Sequence, residues 1–318
     1  MVNIEGPVQK VGAVIPIYNP SDEFVSVLRA LERQTYPISQ VIVIDSIDSS
    51  PKIGVRGDHQ KIVEDYCGHL KCLYLRILPE EFDHGKTRNL GASKLTDEDA
   101  VLFLTQDGVM SQDCVEKLVI FLNRNTLAGV YARQIPREGA TELEVIERRL
   151  TYPSNSRINS GVPRVIDDVL LSNACSIIRI DAFKAVGGFP NKIITAEDIV
   201  IANKLLIAGY NTGYCAEAIL RHSHKLSFAG TVKRYFDTGV MHTEWESVIP
   251  FNTARGKGAQ LVKDEVRHII RNKPSELVSL VLSVVGKVIG YSLGRKSALL
   301  SIKLRRKLSQ NKGFWWQI

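Results

Sequence analysis

The first 107 residues alternate short apolar runs with segments of helical periodicity, and that alternation leaves few folds open. "VGAVIPIYN", Val11 to Asn19, is an apolar run that ends polar, which predicts a buried strand. "SDEFVSVLRALERQ" follows it. Ser21 or Asp22 can cap a helix there, and Phe24, Val27, Leu28 and Leu31 fall on one face. "QVIVIDS" predicts a second strand carrying Asp45, and "KCLYLRIL" a third. "TRNLGASKL" reads as a helix, and "AVLFLTQD" as a fourth strand ending in Asp107. Strands separated by helices predict a parallel sheet with right-handed crossovers. Such sheets bind ligands beyond the carboxyl ends of their strands, where Asn19, Asp45 and Asp107 fall.

The stretch "FDHGKTRN", Phe82 to Asn89, belongs to the same edge, because it links the third strand to the next helix. It has nothing apolar after Phe82 and crowds Asp83, His84, Lys86 and Arg88 around a glycine. Lys86 and Arg88 suit phosphate oxygens, and Arg88 lies near a helix start, where backbone N–H groups favour anions. A solvated charged loop is the plain alternative. Asp107 is followed at once by a glycine. A carboxylate there can hold a hard cation that bridges a diphosphate, although turn-capping aspartates are common.

The middle of the chain adds a second set. "SIIRI" predicts a strand, then a short helix and a tight "GGFP" turn. "TAEDIVIANKLLIAGY" places Glu197 and Asp198 at the start of an amphipathic helix with Ile199, Ala202, Leu205 and Leu206 on its buried face. Adjacent acids at a helix start often do no more than complement its dipole. "ILRHSHK" puts His222 and His224 two apart on a strand-like segment, so both point to one face, as metal or phosphate contacts or as surface histidines. Gln134 to Gly161 is polar and turn-rich, with a helical segment in "TELEVIERRL", and reads as a helix and mobile loop.

Charge narrows the partners. The net charge is +7, yet no acidic residue follows Glu276, and eight lysines and arginines do. The first 276 residues are therefore nearly neutral, which argues against a nucleic-acid-binding domain and for a tail with its own anionic partner. The five cysteines, Cys67, Cys72, Cys114, Cys175 and Cys215, show no zinc spacing and read as reduced thiols of a cytosolic protein. The N-terminus carries no signal-peptide pattern.

Taken in order, "VIPIYN", "VIVIDS", "FDHGKTRNLGA", "FLTQD", "GGFP" with "AED", and "RHSH" resemble the family 2 glycosyltransferases of the GT-A fold, an α/β Rossmann-like nucleotide-diphospho-sugar transferase architecture. "RHSHKLSFAGTVKRYFDTGV" and the C-terminal stretch are most similar to bacterial rhamnosyltransferases that use a dTDP-sugar. The resemblance implies an inverting, metal-dependent enzyme that moves L-rhamnose from dTDP-β-L-rhamnose to a lipid-linked or oligosaccharide acceptor in cell-surface polysaccharide synthesis. It implies Asp198 as the base and Glu197 as its neighbour at the acceptor side. Asp107, with His224 or His222, would hold Mg²⁺ or Mn²⁺. Asp45 would bond the nucleobase, Pro16 and Tyr18 would flank it, and Arg88, His84 and Gln106 would contact the nucleotide-sugar. Two departures stand out. The family's DxD element is reduced to Thr105, Gln106 and Asp107, and the run after the second strand reads "DSIDSS", which leaves the role of Asp48 open.

The resemblance divides the chain into a catalytic domain at 1–225, a helical acceptor-side region at 226–273, and a basic amphipathic tail at 274–318. "SELVSLVLSVVGKVIGYSLG" is apolar but interrupted by Lys287 and by Gly286, Gly290 and Gly294. With Lys303 to Lys307 and then Phe314, Trp315 and Trp316 after it, the tail suits an anionic membrane surface. The expected location is cytoplasmic, peripheral on the inner face of the cell membrane. The other reading packs the tail on the catalytic domain or on a second subunit of a homo-oligomer. Two other functions fit the same residues: a transferase using a UDP-hexose, which donor competition would reveal, and a silent nucleotide-binding scaffold, which would bind nucleotide without turnover.

Overall fold

The computed structural model describes residues 4, 6–47, 59–67, 70–250 and 253–316; Asp48 lies outside them. The strands are β1 (Val11–Ile17), β2 (Ile38–Ser46), β3 (Lys71–Ile77), β4 (Ala100–Leu104), β5 (Val109–Met110), β6 (Gly129–Ile135), β7 (Arg157–Asn159), β8 (Cys175–Arg179) and β9 (Thr212–Arg221). The first helices are α1 (Glu23–Glu32), α2 (His59–Cys67), α3 (His84–Ala92), α4 (Cys114–Arg124) and α5 (Glu142–Thr151). Then come α6 (Ile180–Ala185), α7 (Glu197–Ile207), α8 (Phe228–Glu244), α9 (Ala254–Asn272), α10 (Leu277–Arg295) and α11 (Ile302–Leu308).

All strands join one sheet in the order β3-β2-β1-β4-β8-β6-β9-β5, with β7 against β9. The first four are parallel, as their spacing predicts. Beyond them, where the second half of the chain enters the sheet, the strand directions change. β8 runs antiparallel to β4, and β6 antiparallel to β8, so the sheet is mixed. Register sets the mouth of the sheet: Ile17 lies opposite Asp45, and β4 ends three residues before Asp107.

Apolar side chains on both sheet faces form two cores. One packs Phe24, Val27, Leu28 and Leu31 of α1 with Val115, Leu118 and Leu122 of α4. The other takes Val200, Ile201 and Leu205 of α7 and reaches Phe236 of α8. Burying each such side chain contributes about 1.5–3 kcal/mol. At the start of α1, Asp22 holds the capping position but its side chain makes no capping bond. The five cysteines are free thiols.

The C-terminal region packs on the rest of the chain. Gly286, Gly290 and Gly294 line the face of α10 that meets α8, where a Cβ at the last two would overlap the carbonyl oxygens of Val232 and Phe236. Lys287, the charge inside the apolar run, turns to Glu147 of α5 at 2.6 Å and Glu265 of α9 at 3.7 Å. Two of the three terminal aromatics, expected at an interface, are buried instead: Phe314 and Trp315 join the core beside Phe236, and only Trp316 is exposed.

Candidate active site

Asp107, His222 and His224 converge at one corner. The two-residue strand β5 pairs with the end of β9, Val109 opposite Arg221, and this brings Asp107 beside the histidines. His222 and His224 lie just past β9 rather than on it. His222 Nε2 is 3.4 Å from Asp107 Oδ1, and His224 Nε2 is 3.5 Å from Oδ2. The three ligand atoms all lie within 4.8 Å of one another. Burial would raise the Asp107 pKa, but His222, His224 and Thr105 outweigh it and hold the carboxyl well below its usual range. Burial lowers His222, and burial with the neighbouring His222 lowers His224 to about 4, so both imidazoles are neutral near pH 7.

Gln134, which no motif marks, decides the tautomer of His222. Its Oε1 accepts from Arg148 Nη1 at 3.0 Å, and a guanidinium only donates. The same Oε1 stands 2.8 Å from His222 Nδ1, so a neutral His222 carries its proton there. Nε2 then presents a lone pair to the Asp107 carboxylate, an electrostatic clash that a shared cation removes. The donor set therefore fits a divalent ion.

The second corner is the head of α7. Asp198 Oδ2 accepts from the Asn173 N–H at 3.1 Å, and Oδ1 from that of Ile199 at 2.9 Å. Glu197 is buried, 3.2 Å from Arg88 Nη1, and accepts from Asn173 Nδ2 at 2.9 Å. Burial and the adjacent Glu197 charge push the half-buried Asp198 up to about 7. Burial also acts to raise Glu197, but Arg88, His84 and Asn173 hold it below its ordinary value. Two neighbouring carboxyls thus differ in protonation, one fixed as an anion and one poised to exchange a proton. Ser172 and Asn173 join the corners: Ser172 Oγ accepts from Gln134 Nε2 at 2.8 Å, and Asn173 holds both acids.

At the third corner Asp45 is fully buried. Its Oδ2 takes His59 Nδ1 at 2.8 Å and Tyr74 Oη at 2.5 Å, while Oδ1 has no partner among the described residues. Pro16 is half-buried within β1, and Tyr18 is exposed just beyond it. Gln106 clasps the Tyr18 backbone, accepting from its N–H at 2.7 Å and donating to its carbonyl at 3.1 Å. Arg137 donates to the Asp107 carbonyl at 2.9 Å and pairs with Glu23.

The "FDHGKTRN" stretch is not a loop. Asp83 caps α3, accepting from the N–H of Gly85 at 3.0 Å and of Lys86 at 2.7 Å, so the helix starts inside the motif. Its polar groups turn to residues 189–197. Asp83 also accepts from the Ile193 N–H at 2.9 Å. Asn89 exchanges two 3.0 Å hydrogen bonds with the Phe189 backbone. Gly85 lies so close to the Pro190 carbonyl that a Cβ would not fit. Arg88, expected against the nucleotide, is buried and directs its guanidinium to Glu197 and to the His84 carbonyl. His84 Nε2 meets Asn311 of the tail at 3.2 Å. The motif buttresses the segment that carries the acids.

Residues 13–187 match the family model described as Glycosyl transferase family 2. The chain is 34% identical over 312 residues to the O-antigen chain rhamnosyltransferase RfbN of Salmonella typhimurium, covering 96% of each chain. It is 33% identical to the O-antigen chain rhamnosyltransferase WbaN of Salmonella anatum, covering 95% of this chain and 94% of that one. Among solved structures, the mannosyltransferase PcManGT from Pyrobaculum calidifontis, in complex with GDP-Man and Mn2+, superposes with a TM-score of 0.58. The match has 16% identity and covers 98% of this chain and 86% of that one. S. aureus TarS 1-349 gives a TM-score of 0.53 at 16% identity, covering 97% and 90%. These likenesses show the GT-A fold.

Proposed function

The chain belongs to glycosyl transferase family 2, and on that premise we propose that it transfers L-rhamnose from dTDP-β-L-rhamnose, with inversion, to a saccharide acceptor of a bacterial cell-surface polysaccharide. The acid pair at the head of α7, with Glu197 paired to Arg88 and both acids held by Asn173, carries the reaction class. The sugar rests on the similarity to the two rhamnosyltransferases over nearly the whole chain.

Asp198 takes the proton of an acceptor hydroxyl. The freed oxygen attacks the anomeric carbon from the face opposite the leaving group, the bond from that carbon to the diphosphate oxygen breaks, and its electron pair departs with the nucleotide. A single displacement inverts the configuration, and the proton stays on Asp198. Burial, with the charge of Glu197 that Arg88 keeps ionised beside it, keeps the Asp198 pKa high enough for this work. Asp107, His222 and His224 would hold Mg²⁺ or Mn²⁺, and their two imidazoles favour Mn²⁺. Such an ion would offset the charge of the leaving diphosphate. The unpartnered Asp45 Oδ1 is an acceptor suited to the imide N–H of thymine. Gln106 shapes the end of β1 through the Tyr18 backbone. The acceptor is read as lipid-linked and the protein as peripheral on the inner face of the cell membrane, a reading supported by the exposed apolar face of α10 and the cations after it.

Nucleotide release from a donor panel with a lipid-linked saccharide tests the proposal. Release from dTDP-rhamnose alone is expected. Release from a UDP-hexose instead would overturn the donor, and nucleotide binding without turnover of any donor would favour a silent scaffold.

A further inference from the structure

The acids at the head of α7 stand on a backbone that does not support itself. Ala196, just before Glu197, has a left-handed conformation with φ of 61°, and no side chain caps the helix. A non-glycine residue there costs on the order of 1–2 kcal/mol, so neighbouring groups must hold it. One clamp comes from α3, where Asp83 accepts from the Ile193 N–H at 2.9 Å. The other comes from the far end of the chain, where Asn311 Nδ2 donates to the Ile194 carbonyl at 2.9 Å.

Asn311 is itself well seated. Its backbone N–H and that of Gln310 donate to Asp237 of α8 at 3.0 and 2.9 Å. Nδ2 also reaches the same carboxylate at 3.3 Å, which leaves Oδ1 as the acceptor toward His84 Nε2 at 3.2 Å. The His84 carbonyl in turn accepts from Arg88, the partner of Glu197. One side chain 113 positions after Asp198 therefore touches both supports of the acid pair.

We propose that Asn311 is a positioning residue for the base, and that the C-terminal segment completes the active site rather than serving only as an anchor. The inference rests on the assignment of Asp198 as the base. Without the Ile194 clamp, the turn at 194–196 relaxes and Asp198 shifts from its place and takes on water. A displacement of about 1 Å at such a group can cost on the order of 10²-fold in rate.

The test is Asn311→Ala, with Asn311→Ser beside it. Both keep the backbone hydrogen bonds to Asp237, so the tail stays attached. Turnover of dTDP-rhamnose is measured against pH, with folded protein quantified by near-UV circular dichroism. A fall in kcat of about tenfold to a hundredfold is expected, with the donor KM unchanged. The acid limb of the kcat profile should also move to lower pH, because a hydrated Asp198 ionises more easily. The groups facing Asp198 are Glu197 on its own helix, Arg88 from α3 and Tyr152 after α5, and none of these is altered. An unchanged kcat, or a loss matched by loss of folded protein with the acid limb in place, would overturn the inference. Asp198→Asn is run in parallel. If it keeps wild-type turnover, the assignment of the base fails; if it does not, any failure at Asn311 belongs to the inference alone.

Discussion

The Gln134 amide touches four groups, and one of its two orientations suits them all. Its oxygen faces the donors Arg148 and His222, and its nitrogen faces the hydroxyls of Tyr152 and Ser172. Gln134→Leu keeps the approximate volume but frees the His222 tautomer. Manganese affinity, titrated on folded protein in the absence of donor, should fall about 10- to 100-fold. Unchanged affinity would remove Gln134 from the metal shell. This role was hidden in the sequence because His222 is 88 positions from Gln134, and nothing local to a glutamine marks such a contact. Asp107, Asp198 and the two histidines were singled out through the ordered motifs of the resemblance, since acids at turns and helix starts are common on their own; the structure brings Asp107 and the histidines together. Arg88 was expected against the nucleotide, and its pairing with Glu197 could not be read, since a cation in a polar stretch does not declare its target.

At the scale of elements, the buried strands β1, β2 and β4 and the helices α1 and α7 could be read from apolar runs and periodicity, as could the partly exposed edge strand β3, while α5 was read from its charged helical sequence. The antiparallel insertion of β8 could not, because strand direction leaves no mark in a five-residue apolar run. The start of α3 carried a readable signal in Asp83 as a cap, which the density of charge obscured. In α10 the glycines at four-residue spacing resemble interruptions, yet they are what lets the helix lie against α8. Pro274–Arg295 is long and apolar enough to cross a membrane by length and composition, but its glycine face is occupied and Lys287 is paired inside. The opposite face exposes Val278, Val281, Leu282, Val285 and Val288, with Lys296, Lys303 and Lys307 beyond it. That pattern suits a helix lying in the plane of an anionic bilayer. Val281→Glu with Val288→Glu should abolish cosedimentation with phosphatidylglycerol vesicles and leave dTDP-rhamnose turnover with a soluble acceptor intact. Undiminished sedimentation would place the membrane contact elsewhere.

Over the whole molecule, the sheet brings three corners to one mouth: buried Asp45 near the end of β2, the Asp107 cluster beyond β4 and β9, and the acid pair after β8. The tail, more than 100 residues further on, is packed into the same core through Phe314 and Trp315. The change to basic composition after residue 276 therefore coincides with no break in packing. The pH dependence of catalysis belongs at this scale, since α3, α7 and the segment before β8 all bear on Asp198. Its carboxyl is raised to about 7, so below that pH it is protonated and unable to accept a proton. The most direct measurement is therefore kcat for dTDP release from dTDP-rhamnose across about pH 5 to 9, for the wild type and Asp198→Asn. The account predicts a wild-type rate that climbs about tenfold per unit below about pH 7 and then levels, with the variant about 10²–10⁴-fold slower and without that limb. A wild-type profile flat through neutrality, or a variant that turns over at the wild-type rate, would contradict it.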